Sequence, residues 1–488
     1  MTILILVPIL APAAAAVAGW IGGWRRATAT LTVLSAIAVL GSAVALGIQT
    51  GGRPGVVLDG LLRSDALSVT MLIVIGVVGT LATWASIGYI DAELEHGHTD
   101  RGDARLYGTL TPAFVSAMAL AVSANNIGVT WVAVEATTVI TAFLVGHRRT
   151  RTALEATWKY VVICSVGIAV AFLGTVLLYF AVRHAGADSA TALDLDVLVA
   201  RAGQLDPSVA RLAGGLLLIG YGAKVGLVPF HGWLADAHSQ APAPVSALMS
   251  GVLLSVAFSV LIRLRGVIDA AVGSGFLRAG FLTLGLATVL IAALLLTVAT
   301  DLKRMLAYSS MENMGLIAIA AAAGTKLAIA ALLLHVLAHG VGKTVLFLAG
   351  GQLQAAHDST AIADISAVLT RSRLIGTSFA IGVVALLGFP PFAMFASELA
   401  IARSLADARL VWAMGAALLL MVVAFAALVG NARRILLGSP SVDAPPIVVP
   451  ASVAAALLAG VAASLVLGVS AGPLTGLFST AASQFGAG

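Results

Sequence analysis

Apolar runs of about 20 residues follow one another along the whole chain, separated by short polar breaks. A helix rises 1.5 Å per residue, so a run of that length crosses roughly 30 Å of hydrocarbon. The alternating segments of about ten residues that mark a membrane β-barrel are not seen. Taken in order, the runs predict an all-α polytopic membrane protein of about fourteen transmembrane helices. Their spans are 1–20, 27–50, 66–90, 108–123, 127–146, 155–183, 209–229, 242–268, 276–299, 304–323, 326–352, 374–400, 410–437 and 446–471. The longest polar stretches, 91–106, 184–208 and 353–373, read as connecting loops, so residues 1–488 form a single membrane domain. The first run lacks a basic segment ahead of it, which makes it a membrane helix rather than a removed signal.

Composition agrees: 60% of the 488 residues are hydrophobic and only 10% charged, where a soluble domain carries about a quarter. The net charge of +5 comes from short basic loops. Those suit a membrane face near anionic lipid, and nothing points to nucleic acid. Three basic clusters, Arg25-Arg26, His147-Arg148-Arg149-Thr150-Arg151 and Arg433-Arg434, fall on one side if there are fourteen helices. That side is then cytoplasmic and both termini lie outside a bacterial inner membrane. Arg263, Arg265 and Arg278 on the other side make the bias modest. The one cysteine, Cys164, lies in an apolar run and supports neither a disulfide nor a metal cluster.

Two helices are interrupted. Helix 7 runs Lys224-Val-Gly-Leu-Val-Pro229-Phe230 and helix 12 runs Gly388-Phe-Pro390-Pro391-Phe392. Proline opens a membrane helix locally, either as an ordinary kink or as part of an ion site. Matching interruptions five helices apart would lie in two repeats of opposite sense.

Ionisable groups deep in a bilayer are costly and tend to be functional. Glu135 lies about eight residues, or roughly 12 Å, into helix 5. Lys224, beside the helix 7 break, is its expected partner, in a proton-handling pair or in a structural one. Glu155 and Lys159 share a face of helix 6, from which Lys159 either reaches towards Glu135 or extends to the interface. In helix 11, His335, His339 and Lys343 repeat every four residues, about 6 Å apart on one face. That is the spacing of a proton wire. Histidines four apart also hold zinc, but no HExxH motif or nearby carboxylate accompanies them. Glu398 follows the helix 12 break, as a path member or an interfacial carboxylate. His231, His238, Ser250 and Glu312 are accessory candidates. The groups form a hydrated track at the membrane midplane, with half-channels expected at the two interruptions.

Residues 223–248 (AKVGLVPFHGWLADAHSQAPAPVSAL), 301–310 (DLKRMLAYSS) and 335–343 (HVLAHGVGK) resemble the antiporter-type subunits shared by complex I, Mrp sodium/proton antiporters and energy-converting hydrogenases. Residues 131–147 and 153–168 look most like component F of hydrogenase-4-type complexes. The resemblance implies two inverted five-helix repeats, 108–268 (helices 4–8) and 276–437 (helices 9–13). It assigns Glu135, Lys159, Lys224, His335, His339, Lys343 and Glu398 to a proton path. The sequence departs from the pattern at Ser250, where many complex I relatives place a histidine, so His231, His238 or water must serve there. It also stops soon after helix 14, without the lateral amphipathic helix of the longest subunits.

The chain carries no cofactor motif, no metal set and no redox site of its own. The expected function is proton translocation coupled to redox chemistry in partner subunits, other membrane subunits and a soluble redox arm. A sodium/proton antiporter subunit, a membrane partner of a bicarbonate-uptake system and a stand-alone transporter remain alternatives.

Overall fold

The computed structural model describes residues 1–438 and 446–485. These residues form twenty α-helices. In order they are α1 (Thr2–Gly22), α2 (Arg26–Thr50), α3 (Ala66–Glu95), α4 (Arg101–Ser123), α5 (Ile127–Val145), α6 (Arg151–His184), α7 (Leu195–Arg201), α8 (Pro207–Val225), α9 (Gly232–Gln240) and α10 (Ala243–Leu248). Then come α11 (Leu254–Val272), α12 (Gly275–Thr297), α13 (Leu302–Ala323), α14 (Lys326–His357), α15 (Val368–Arg371), α16 (Arg373–Leu386), α17 (Ala393–Asp407), α18 (Val411–Leu436), α19 (Ala451–Val469) and α20 (Gly472–Phe485). A π-helical turn, Met249–Leu253, joins α10 and α11 into one rod.

The starts are written locally. Asp65, Asp100, Asn126, Thr150, Asp206, Asp301, Thr325 and Ser372 each precede a helix and accept a backbone N–H from its first turn. These caps satisfy donors that have no partner inside the helix. Among the described residues, eleven helices, counting the α10–α11 rod as one, are long and apolar enough to cross a membrane.

Layering follows from which helices are apolar all round. In their most apolar windows the α10–α11 rod is fully buried, α14 94% and α3 89%, against 28% for α18. The three form the central spine, and the others surround it and leave apolar faces for lipid. Close approach needs glycine at one crossing in particular. A Cβ at Gly340 of α14 would lie 2.9 Å from the Gly251 carbonyl oxygen in the π turn, and one at Gly251 would lie 3.0 Å from that of Gly340. Backbone there meets backbone, as small residues permit in membrane helices.

Several elements depart from the sequence reading. A short antiparallel ribbon, β1 (Gly55–Val57) with β2 (Leu62–Ser64), closes the α2–α3 connection. The stretch 91–106 is mostly helical, because α3 continues to Glu95 and α4 begins at Arg101. Polar residues are ordinary at helix ends that leave the hydrocarbon, so polarity alone places these ends wrongly. The stretch 184–208 contains α7, and 353–373 contains the end of α14 and α15. His231 and His238, read as loop residues, begin and lie within α9, the second half of the interrupted helix 7. Beyond residue 471 the chain forms α20, which packs on α14 and α3.

Candidate ion path

At the first interruption α8 ends on Gly226, whose φ of 84° is a left-handed cap that favours glycine. The indole N–H of Trp233 in α9 donates to the Ala223 carbonyl at 2.9 Å, so the second half of the broken helix ties back onto the first. This places Lys224 at the last buried turn of α8, with no exposed surface. Its Nζ donates to Thr138 Oγ1 at 2.8 Å and to Tyr160 OH at 2.6 Å. Thr138 Oγ1 in turn donates to Glu135 Oε2 at 3.1 Å, and Ser165 Oγ donates to Glu135 Oε1 at 2.9 Å. Acid and base are therefore joined through one hydroxyl. Thr138 can take a proton from the lysine while passing its own to the carboxylate, leaving a neutral amine and a neutral acid.

Lys159 does not reach Glu135. Its Nζ lies 2.9 Å from Asp236 Oδ2 and 2.6 Å from Glu155 Oε1, and its side chain is 45% exposed. Asp236, on α9, also pairs with Arg304 of α13. The cause is helical phase. The inward face of α6 is Ala153, Ala156, Tyr160, Cys164, Gly167 and Ile168, and Lys159 lies about 100° from Tyr160, next to the exposed Trp158.

In the second half, His335, His339 and Lys343 are all fully buried on α14. His335 Nε2 is 2.9 Å from Asn313 Oδ1 and its Nδ1 is 3.0 Å from Ser397 Oγ. Asn313 Nδ2 donates to Glu312 Oε2 at 3.0 Å. Lys343 Nζ donates to the Leu306 carbonyl at 2.8 Å and to Ser309 Oγ, and it interacts electrostatically with Glu312. Glu398, one residue after Ser397, folds its carboxylate over Gly388 at the second interruption. It borders an open, largely apolar cavity of about 330 Å³ with Leu316, Leu387 and Met421.

Between the halves lie His339, His238 and Ser250. His339 is fully buried on α14, one turn from both His335 and Lys343, and neither of its ring nitrogens has a partner among the described residues. His238 Nδ1 is 2.7 Å from the Leu234 carbonyl. A carbonyl only accepts, so Nδ1 carries the proton and the buried, unpartnered Nε2 is an acceptor. Ser250 Oγ pairs with Ser310 Oγ at 2.7 Å. His231 is half-buried at the start of α9, with Nδ1 unpartnered among the described residues.

The geometry thus joins Glu135 to Lys224 through Thr138 and His335 to Glu312 through Asn313, leaves Glu398 beside Ser397, His335's other partner, and sets Lys159 apart. Sequence reasoning missed Thr138, Tyr160, Ser165, Asn313, Ser309 and Ser397, and the buried Lys303, whose Nζ donates to the Ala241 carbonyl at 2.6 Å. For all but Ser165 the available signal was their spacing on the inward faces of α5, α6, α13 and α17.

A cavity of about 600 Å³ between α4, α5 and α6 runs from Asp103, His147 and Arg149 at the basic loop to Thr138 and Ser165. It ends on the two hydroxyls that hold Glu135. His147, in that loop, is pushed below its ordinary value by burial.

The family described as NADH:quinone oxidoreductase/Mrp antiporter, transmembrane, matches residues 124–424. The chain is 37% identical over 383 residues to the hydrogenase-4 component F homolog of Methylacidiphilum infernorum (isolate V4), covering 78% of this chain and 80% of that one. It is 29% identical over 374 residues to NADH-quinone oxidoreductase subunit N 1 of Sorangium cellulosum (strain So ce56), covering 74% and 70%. The chain spans about half the length of some other relatives. A chain of the membrane-bound sulfane sulfur reductase, an archaeal respiratory membrane complex, has the same fold, with a TM-score of 0.87 at 23% identity over 99% of this chain and 97% of that one.

Proposed function

The chain belongs to the NADH:quinone oxidoreductase/Mrp antiporter transmembrane family, and from that premise we propose that it moves protons as a membrane subunit of a hydrogenase- or quinone-reductase-type complex. Redox chemistry belongs to partner subunits, among them a soluble arm. The observation that carries this reading is the Glu135–Thr138–Lys224 relay, a half-buried acid and a fully buried base joined by one hydroxyl. Protons enter from the basic-loop side through the α4–α6 cavity, which ends at Glu135's hydroxyl partners. They pass by Lys224, water, His238 and His339 to Lys343, Glu312, His335 and Glu398. Lys159 acts through Asp236, holding α9 in place. Entry beside α5 rather than at the helix 7 break revises the half-channel expected there.

In this reading the fold has fourteen crossings, with α8/α9, α13 and α16/α17 adding three to the eleven long apolar helices. Helices 4–8 (108–268) and 9–13 (276–437) form inverted repeats. Two isolated bridges support this: Asn126 pairs with Asp194 around α5 and α6, and Asp301 pairs with Ala361 around α13 and α14. Both termini lie outside a bacterial inner membrane, opposite the basic loops.

Proton uptake into inverted vesicles from cells carrying the whole complex tests the function. Lys224→Ala and Glu135→Gln are expected to abolish uptake while the complex still assembles. Unchanged uptake in both variants refutes the reading. Uptake that needs sodium redirects it to sodium/proton exchange.

A further inference from the structure

The chain of titratable groups ends at Glu398, which borders an open cavity lined mostly by apolar side chains among the described residues. A polar column does leave the centre of the molecule, along α10 and α11. Ser250 and Ser255 are five residues apart, which in a regular α-helix would turn them about 140° from each other. The π turn Met249–Leu253 absorbs the extra residue and returns them to one face. Ser259 and Arg263 continue that face in steps of four. All four residues are buried. The column spans roughly 20 Å from Ser250 to Arg263. Its inner end is the Ser250–Ser310 pair, beside Ser309, which bonds Lys343, and at the backbone contact with Gly340 that follows His339.

Its outer end is a charged cluster on the side of the β1–β2 ribbon. Arg263 holds Asp65 with two bonds, of 2.6 and 3.0 Å, and donates to Ser68 Oγ at 2.7 Å. Asp65 also accepts from Arg63 at 2.8 Å, and Arg63 pairs with Asp196. Beyond Arg263 a cavity of about 320 Å³ lies between α11 and the end of α20, lined by Arg265, Asp269, Gln484 and Phe485.

A row of serines alone is common in membrane helices. Here the buried oxygens Ser255 Oγ, Ser64 Oγ, Ser123 Oγ and Asn125 Oδ1 also lack any partner among the described residues. Each residue is at most 2% exposed. Burying such atoms unpaired costs about 1–3 kcal/mol apiece, and ordered water is the usual remedy. Ser255 lies in the column itself, and Ser64, Ser123 and Asn125 lie beside the charged cluster at its outer end, so both places call for water.

We infer that a hydrated conduit along Ser250, Ser255 and Ser259, gated by the Asp65–Arg263 pair, releases protons from the centre of the molecule to the ribbon side of the membrane. The inference rests on the proton-translocating reading. Serine hydroxyls and intervening waters pass the proton by exchange of hydrogen-bonded protons, so no group along the column changes its charge for longer than a transfer. Closed onto Asp65, the Arg263 side chain occupies the outer end of the column, so release requires the pair to part. Glu398 is then a side branch of the chain and not its outlet.

Ser255 gives a clean test, because valine and threonine differ there only by methyl against hydroxyl. In inverted vesicles of the whole complex, Ser255→Val is expected to lower proton uptake about tenfold by drying the column. Ser255→Thr is expected to keep most of it, and complex assembly and partner electron transfer serve as controls in both. Lys224→Ala is measured beside them. If Lys224→Ala abolishes uptake and Ser255→Val leaves it intact, the conduit is wrong and the proton-path reading stands. An equal fall in Ser255→Val and Ser255→Thr marks a packing effect and also overturns the conduit. If none of the three changes uptake, the proton-path reading itself fails.

Discussion

Thr138 is the residue on which the first half turns, since its hydroxyl lies between Lys224 and Glu135. Thr138→Val keeps its shape and removes that link. Uptake is expected to fall about tenfold, with Thr138→Ser close to the parent. Leaving Lys224 with Tyr160 as its remaining side-chain acceptor also costs about 1–3 kcal/mol of stability, read as a lower unfolding temperature of the purified chain. Equal uptake in Thr138→Val and the parent would show that the acid and base exchange protons by another route. The charged members of this site were legible because a charge in an apolar run stands out. Their neutral partners were not, because Thr, Ser and Tyr also occur freely in membrane helices, bonded to the preceding turn. Lys159 shows the opposite failure: it stood out as a charge, yet its phase on α6, one step from Tyr160, turns it outwards to Asp236. Reading Ala153, Ala156, Tyr160 and Cys164 as one face would have predicted this.

At the scale of elements, the interruptions were legible because proline and glycine punctuate an apolar run chemically. The helix beyond the first interruption was not: α9 is polar enough to pass for a loop, and only its packing on α6 and α13 makes it a helix. The second interruption depends on Gly388, which has φ 62° and lies under the Glu398 carboxylate. Gly388→Ala forces a side chain into a left-handed position, at about 1–2 kcal/mol, and drives its Cβ against that carboxylate. The expected result is a less stable chain in which Glu398 is displaced. Gly415→Ala, in open space on α18, is the control and is expected to leave the chain as stable or more stable by about 0.5–1 kcal/mol. A Gly388→Ala protein as stable as the Gly415→Ala protein would mean that the turn has room to relax. The ribbon between α2 and α3 and the helix α20 were missed for a related reason. The ribbon is too short to give a periodic signal, α20 is rich in Gly, Ser and Thr (GPLTGLFSTAASQF), and each is held by contacts to distant parts of the chain, such as the Gln484 side-chain amide on the Gly52 carbonyl at 3.0 Å.

For the whole molecule, the number and sense of the crossings decide everything about direction of transport, and one labelling experiment reads both. Cys164 is the only cysteine and is fully buried, so single cysteines introduced in connections report their own side. With fourteen crossings, Asp59 in the ribbon turn and Asp188 after α6 lie on one side. Arg151 at the start of α6 and Asp358 after α14 lie on the other. All four are placed between long elements, so substitution there leaves the buried chain untouched. On the proposed orientation, with the basic clusters at Arg25-Arg26, Arg148-Arg149-Arg151 and Arg433-Arg434 inside, the second group would face the cytoplasm. A membrane-impermeant thiol reagent added to intact spheroplasts is therefore expected to label Asp59→Cys and Asp188→Cys, and to label Arg151→Cys and Asp358→Cys only in inverted vesicles. The complete opposite pattern would invert the molecule. Protons would then enter the α4–α6 cavity from outside, and the column along α11 would open to the cytoplasm. Labelling of Asp59→Cys and Asp188→Cys from different sides would instead break the count between α3 and α6. If the missing or extra crossing falls after α5, then α5 and its counterpart α13 would run in the same sense, and the inverted repeats would have to be given up even though the Glu135–Thr138–Lys224 contacts remained.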